Sequence, residues 1–83
     1  MLVRYFGAAQ AAAGVPEERL ELDGAALVEV LAAIRGLHPD GDPSMARVLE
    51  RSSFLLNEVA LRDRSGSISR DDVLDILPPF AGG

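Results

Sequence analysis

The sequence predicts an α+β domain, a mixed sheet of four to five strands packed against one main helix and a short second helix. Three observations predict it. Apolar runs with period-two alternation stand near both ends of the chain, over residues 2–6 and 73–77. Between them Leu27, Val30, Leu31 and Ile34 recur at i, i+3, i+4 and i+7, the stripe of a helix that lies on a sheet. The elements then follow as strand, strand, helix, short helix, strand, short strand, strand, an order that suits one helical layer over one sheet.

Each element has its own local signal. Residues 2–6 form a compact apolar and aromatic strand ended by Gly7, with Val3 and Tyr5 on one face and Arg4 and Phe6 on the other. Residues 8–13 are small and helix-tolerant and are closed by Gly14 and Pro16, which reads as a helical turn or coil in a wide loop. Residues 18–22 alternate again, Leu20 and Leu22 against Arg19 and Glu21, and Asp23-Gly24 turns the chain. The main helix is expected over 25–35, with Asp23 as N-cap and Gly36 followed by Pro39 as its stop signal. Asp42 as cap and Pro43 at the first position announce the second helix, which shows Met45, Val48 and Leu49 on one face and ends near Ser52. Residues 54–56 read as a buried strand, Asn57-Glu58 as a turn and 59–61 as a short returning strand. Residues 62–67 are polar and read as a surface loop, and Arg70-Asp71-Asp72 makes a last turn before the final strand.

Composition narrows the function classes. The 83 residues are 48% hydrophobic, enough for one small domain with its own core. The absence of cysteine excludes disulfides, thiolate metal ligands and a cysteine nucleophile, so any sulfur chemistry must use sulfur brought from elsewhere. The net charge of −5 and singly scattered basic residues argue against nucleic-acid binding and suit a protein partner. Every basic residue is arginine, so an activated carboxyl group on this chain would meet no lysine amine of its own and only the N-terminal amine. No apolar run approaches the roughly 18 residues of a membrane span, and residues 1–6 lack the pattern of a signal peptide, which makes the cytoplasm the expected compartment. His38, beside Pro39, reads as a solvent-facing loop residue. Glu17-Glu18 and Asp71-Asp72 read as solvated turns without partners at metal-ligand spacing, so no metal site is expected. A phosphate-binding glycine loop is missing as well, so ATP is not expected to bind this chain alone.

The element order is that of a β-grasp domain, the ubiquitin-like architecture, in which the first and last strands lie side by side in parallel. Val3 and Tyr5 then join Leu74 and Ile76 beneath the helix. Arg4 and Phe6 share the far face with Asp75 and Leu77, and with Arg19 and Glu21 of the second strand. Phe6 and Leu77 form an apolar docking candidate on a half-charged face. Residues 1–77 are expected to be the domain and residues 78–83 an extended tail. Pro78 and Pro79 fix φ and supply no N–H, so the chain must leave the sheet as a stiff arm. From Pro78 to Gly83 the arm reaches roughly 20 Å. Ala81, Gly82 and Gly83 are slim enough to pass a partner's narrow channel, and Phe80 is placed to anchor there.

This ending, Leu77-Pro78-Pro79-Phe80-Ala81-Gly82-Gly83, on such a body resembles the ubiquitin-like sulfur carriers, most closely the small subunit of molybdopterin synthase. The opening Val3-Arg4-Tyr5-Phe6-Gly7-Ala8-Ala9 also looks like that family's first strand. One departure is the last turn, Arg70-Asp71-Asp72, which lacks the glycine many members carry there. The resemblance implies that the carboxylate of Gly83 is adenylated by an ATP-using, ubiquitin-activating-like adenylyltransferase and converted to a thiocarboxylate by a sulfur donor enzyme. The carrier would bind no cofactor itself. It would enter the molybdopterin synthase large subunit, within a heterotetramer, and deliver sulfur for the dithiolene of the molybdenum cofactor, with the catalytic side chains on the partner. The alternatives are a sulfur carrier for thiamine thiazole or cysteine biosynthesis, and a non-catalytic ubiquitin-like interaction module whose glycines are inert.

Overall fold

A computed structural model of the chain describes residues 1–39 and 41–79. The chain runs β1 (Leu2–Tyr5), α1 (Gly7–Ala13), β2 (Glu17–Arg19), β3 (Ala25–Ala26), α2 (Leu27–Leu37), α3 (Met45–Arg51), β4 (Ser53–Leu56), β5 (Val59–Ala60), β6 (Ser67–Ile68) and β7 (Val73–Leu77). The main sheet has the order β2-β1-β7-β4-β5, and β3 with β6 forms a separate two-stranded ribbon. Among the described residues only β1 and β7 pair in parallel, with Val3 opposite Leu74 and Tyr5 opposite Ile76. The neighbours β2, β4 and β5 are joined antiparallel. This is the β-grasp fold, with a five-stranded mixed sheet and α2 as the main helix.

Alternation sets the core. Val3, Tyr5, Leu74 and Ile76 are each no more than 1% exposed and meet Leu27, Val30 and Ile34 of α2, with Phe54 of β4 and Met45, Val48 and Leu49 of α3 completing the cluster. Leu31 of the same helical stripe packs at its margin, partly buried.

Several boundaries differ from the sequence-based expectation, each for a local reason. β1 stops at Tyr5 because Gly7, at φ +51°, turns the chain into α1, and the Phe6 carbonyl accepts from the N–H groups of Ala9 and Gln10. The stretch read as a turn or coil is a helix whose Ala9 is buried and which packs on α3, and Gly14 closes it at φ +78° with its N–H on the Gln10 carbonyl. Asp23 does not cap α2. Ala25 and Ala26 are taken up in pairing with Ile68 and Ser67, so the helix starts at Leu27, and the Asp23 carboxylate accepts from the Arg70 N–H at 2.9 Å instead. The same ribbon converts the end of the expected 62–67 loop into β6. Gly36 lies inside α2, which ends one residue later. In α3 the cap position belongs to Ser44, whose carbonyl accepts from Val48, and Pro43 stands outside the helix. The helix closes where expected, with the Ser52 hydroxyl donating to the Val48 carbonyl at 2.7 Å.

Ile76 lies opposite both Tyr5 and Phe54 at the centre of the sheet and is fully buried. Ile76→Ala is expected to lower unfolding free energy by about 2–5 kcal/mol, read from urea denaturation, because the rigid strands on both sides cannot close over the cavity.

Candidate functional site

The expected far face is formed by the outward residues of the same strands. Arg4 stands opposite Asp75 on β7 and Glu17 on β2, and Asp75 also faces Leu55 on β4. Phe6, Arg19 and Glu21 of this face are exposed, whereas Asp75 at its centre is only 4% exposed. The Arg4 guanidinium forks onto it, Nε on Oδ1 at 2.5 Å and Nη2 on Oδ2 at 2.7 Å. Glu58 lies 3.8 Å from the same guanidinium. Bonding to Asp75 holds Arg4 above its ordinary pKa, and the Glu58 and Glu17 charges add to the effect.

Of the two apolar docking candidates, Phe6 is 42% exposed and Leu77 is half-buried. Phe6 keeps extended backbone angles at φ −119° and ψ 153°, and its N–H donates to the Ile76 carbonyl at 3.2 Å. That bond carries the β1·β7 ladder one residue past β1 and sets Phe6 beside the end of β7. Leu77 is the last strand residue and pairs with Ser53. Pro78, half-buried, and Pro79, exposed, follow it outside any strand. Phe80, Ala81, Gly82 and Gly83, which the sequence marks for insertion and activation, lie outside the described residues.

Sequence reasoning did not assemble a polar cluster at the other edge of the sheet. Glu18 was read as part of a solvated turn and His38 as a solvent-facing loop residue; both readings are corrected. Glu18 sits in β2 opposite Val3, on the helix-facing side, and its Oε2 accepts from the Tyr5 hydroxyl and from His38 Nε2, each at 2.5 Å. A carboxylate only accepts, so His38 carries hydrogen on Nε2. The Tyr5 and His38 rings meet edge to face, 6.1 Å between centroids and 87° between planes. The cluster fastens β2 and the segment after α2 to the end of β1. The one sequence signal for it was parity: Glu18 falls on the same side of its strand as Leu20 and Leu22. The last turn is likewise structured, the Asp72 carboxylate accepting from Asn57 Nδ2 at 3.0 Å and the Ser69 N–H at 2.8 Å. These bonds hold the Asp72 carboxyl below its usual pKa. Among the described residues no group of acidic or histidine side chains could hold a metal ion, and no helix is long and apolar enough to cross a membrane.

Burial, reinforced by the hydrogen bond to Glu18 and its charge, pushes the Tyr5 phenol above its ordinary pKa of about 10. The unfolded chain therefore loses its phenolic proton first as pH rises, so this contribution to stability is intact below pH 10 or so and declines above it. Tyr5 is the only tyrosine and there is no tryptophan, so phenolate absorbance reports this group alone. Its appearance is expected to coincide with loss of far-UV ellipticity in alkali; a phenolate forming near pH 10 on the folded chain would contradict the burial.

No curated protein matches the chain by sequence. Among solved structures, the small archaeal modifier protein 1 of Haloferax volcanii superposes with a TM-score of 0.79 at 24% identity, covering 99% of this chain and 97% of that one. The protein of the same description from Methanosarcina acetivorans gives 0.76 at 24% identity, covering 99% and 94%. A Pyrococcus furiosus protein assigned as molybdopterin converting factor, subunit 1, gives 0.73 at 21% identity over 95% of both chains. These likenesses show the shared fold. The model of the ThiS family matches residues 3–83, nearly the whole chain, and with the β-grasp body this makes the chain a member of the ThiS family.

Proposed function

We propose that the chain is a sulfur carrier that works through the carboxylate of Gly83, and that it serves as the small subunit of molybdopterin synthase. The observation that carries the reading is the join between body and tail. The central strand β7 ends at Leu77, Pro78 and Pro79 leave it beside the exposed Phe6, and the sequence continues to Gly82-Gly83. Membership of the ThiS family and the likeness to a protein assigned as a molybdopterin converting factor subunit support it.

The chemistry assigns each part a task. A carboxylate is a poor electrophile. Attack of a Gly83 oxygen on the α-phosphorus of ATP, in the activating enzyme, releases pyrophosphate and leaves an acyl adenylate. A sulfur nucleophile from the donor enzyme then adds at the acyl carbon, and AMP departs with the bonding electrons. Where the nucleophile is a donor persulfide, a thiol then attacks the donor's own sulfur, the S–S bond breaks with its electrons on the acyl sulfur, and the chain ends in a thiocarboxylate beside a disulfide. In the large subunit that sulfur attacks a carbon of the pterin precursor and displaces an oxygen there. Water then cleaves the resulting thioester at the Gly83 acyl carbon, which returns the carboxylate and leaves the sulfur on the pterin, and two such transfers complete the dithiolene. Pro78 and Pro79 stiffen the arm, Phe80 anchors it, and Ala81 and Gly82 give clearance. Phe6 and Leu77 dock the body on the large subunit.

A second reading uses the same activation and is supported by the likeness to two small archaeal modifier proteins. There the acyl adenylate passes to an amine of another protein. Transfer into thiazole or cysteine assembly is the remaining carrier pathway. Co-purification separates these: a pterin-converting large subunit supports the first reading, and a thiazole or cysteine synthase would replace it.

Intact mass after incubation with ATP, activating enzyme and sulfur donor is expected to rise by the difference between sulfur and oxygen. Deletion of Gly83 is expected to abolish both that rise and dithiolene synthesis, and a truncated chain that still supports synthesis would sink the reading. Phe6→Ala is expected to weaken the complex with the large subunit roughly tenfold, as truncation of an aromatic contact residue does. Its urea midpoint should stay close to that of the parent chain, since the side chain is exposed.

A further inference from the structure

Two facts about amines combine in this chain. Its eight basic residues are all arginine, and a guanidinium, protonated up to a pKa above about 12, offers no free lone pair for acylation. That leaves the α-amino group of Met1, and the fold encloses it. Met1 is 1% exposed. Its ammonium group donates to the Leu20 carbonyl at 2.8 Å in a buried hydrogen bond. The Met1 carbonyl accepts from the Leu20 N–H, also at 2.8 Å, so Met1 and Leu20 extend the β1·β2 ladder by one pair beyond Leu2 and Arg19. Met1 lines a shallow hollow together with Arg19, Leu20, Leu22, Arg70 and Asp71, and the closure of its amine rests on the buried hydrogen bond to Leu20.

Capture of an acyl adenylate by an amine has strict needs. The nitrogen lone pair forms the new C–N bond, the C–O bond to phosphate breaks, AMP leaves with the electron pair, and the amine's proton passes to water. A buried nitrogen fixed by donation to a backbone carbonyl inside a strand ladder lacks the space an approaching acyl carbon needs. Resting on the Gly83 reading above, we propose that this chain is a single-unit donor. Its activated end cannot be taken up by a second copy, so the acceptor, whether a sulfur nucleophile or an amine, always belongs to a different molecule. A protein modified by this chain would carry single copies at separate sites and no linked series of them.

The burial can be tested without any activating enzyme. With N-hydroxysuccinimidyl acetate near neutral pH, read by intact mass, the native chain is expected to acetylate at least about tenfold more slowly than the urea-unfolded chain, because reaction awaits local opening. Arg47→Lys and Arg35→Lys place an amine on exposed helix positions, and each new lysine should acquire its acetyl group at the same rate in the folded as in the urea-unfolded variant. Equal rates for native and unfolded parent chain would overturn the proposal.

The transfer itself is tested with ATP and activating enzyme, sulfur donor omitted. Pyrophosphate release without chain-to-chain amide is expected for the parent chain, and copies joined through the new lysine for at least one lysine variant. A parent dimer linked at Met1 overturns the proposal, and so does failure of both variants to link while pyrophosphate is released. Absence of pyrophosphate release would instead overturn the Gly83 reading, and the acetylation rates would still decide whether the amine is closed.

Discussion

The parallel pairing of β1 with β7 is the constraint on which the rest of this structure depends. It brings the first and last described strands side by side at the centre of the sheet, flanked by β2 and β4. Parallel strands need a crossover connection, and here nearly the whole chain is that crossover. The intervening segments must therefore fold back over one face, which is where α2 places Leu27, Val30 and Ile34. The register is fixed from both sides. Slipping β7 by one residue would turn Leu74 and Ile76 to the outer face and bring Asp75 under the helix.

On the outer face the same register sets Arg4 against Asp75. A carboxylate that is 4% exposed needs both of its oxygens satisfied, and the planar fork of an arginine reaches both at once, which an ammonium cannot do. Such a pair adds little net stability over an apolar pair of similar volume, yet losing one member strands the other. Its value here lies in specifying the alignment of the central strands. There is a consequence for the surface as well. Because these two charges are committed to each other, Phe6 stands out as an exposed aromatic next to a neutralised pair, at the end of the sheet from which the tail departs.

What was legible in the sequence follows from the range of the interactions involved. Alternation in residues 2–6 and 73–77 and the helical stripe from Leu27 to Ile34 are set by burial on one face, so they show in local periodicity: Val3, Tyr5, Leu74 and Ile76 are buried under Leu27, Val30 and Ile34, with Leu31 at the margin. The α2 start was misread because Asp23 is a good cap in isolation, while its actual partner, the Arg70 N–H, is distant in sequence. β3 and β6 are two residues each and hold only through one another, so neither carries a pattern that could be read alone. The Tyr5, Glu18 and His38 cluster was missed for the same reason: three polar residues from separate segments meet only after the fold is made. The Pro78-Pro79 boundary, by contrast, is a property of the residues themselves and was plain from the start.

That boundary also explains why the tail begins where it does. An edge strand can simply run out of partners, but β7 is paired on both sides almost to its end, by Ser53 opposite Leu77 and by the bond from the Phe6 N–H to the Ile76 carbonyl. A central strand with available neighbours tends to go on pairing. Pro78 and Pro79 prevent it, because neither has an N–H to offer β1 or β4. The exit of the chain is thus set by covalent chemistry at a defined position, the end of a central strand. A partner that takes up the residues beyond Pro79 must come to that end of the sheet, where Phe6 is already exposed. The β1·β7 ladder fixes Phe6 relative to the exit of the chain at Pro78, so on the proposed reading the docking contact and the root of the tail are set together before any partner binds.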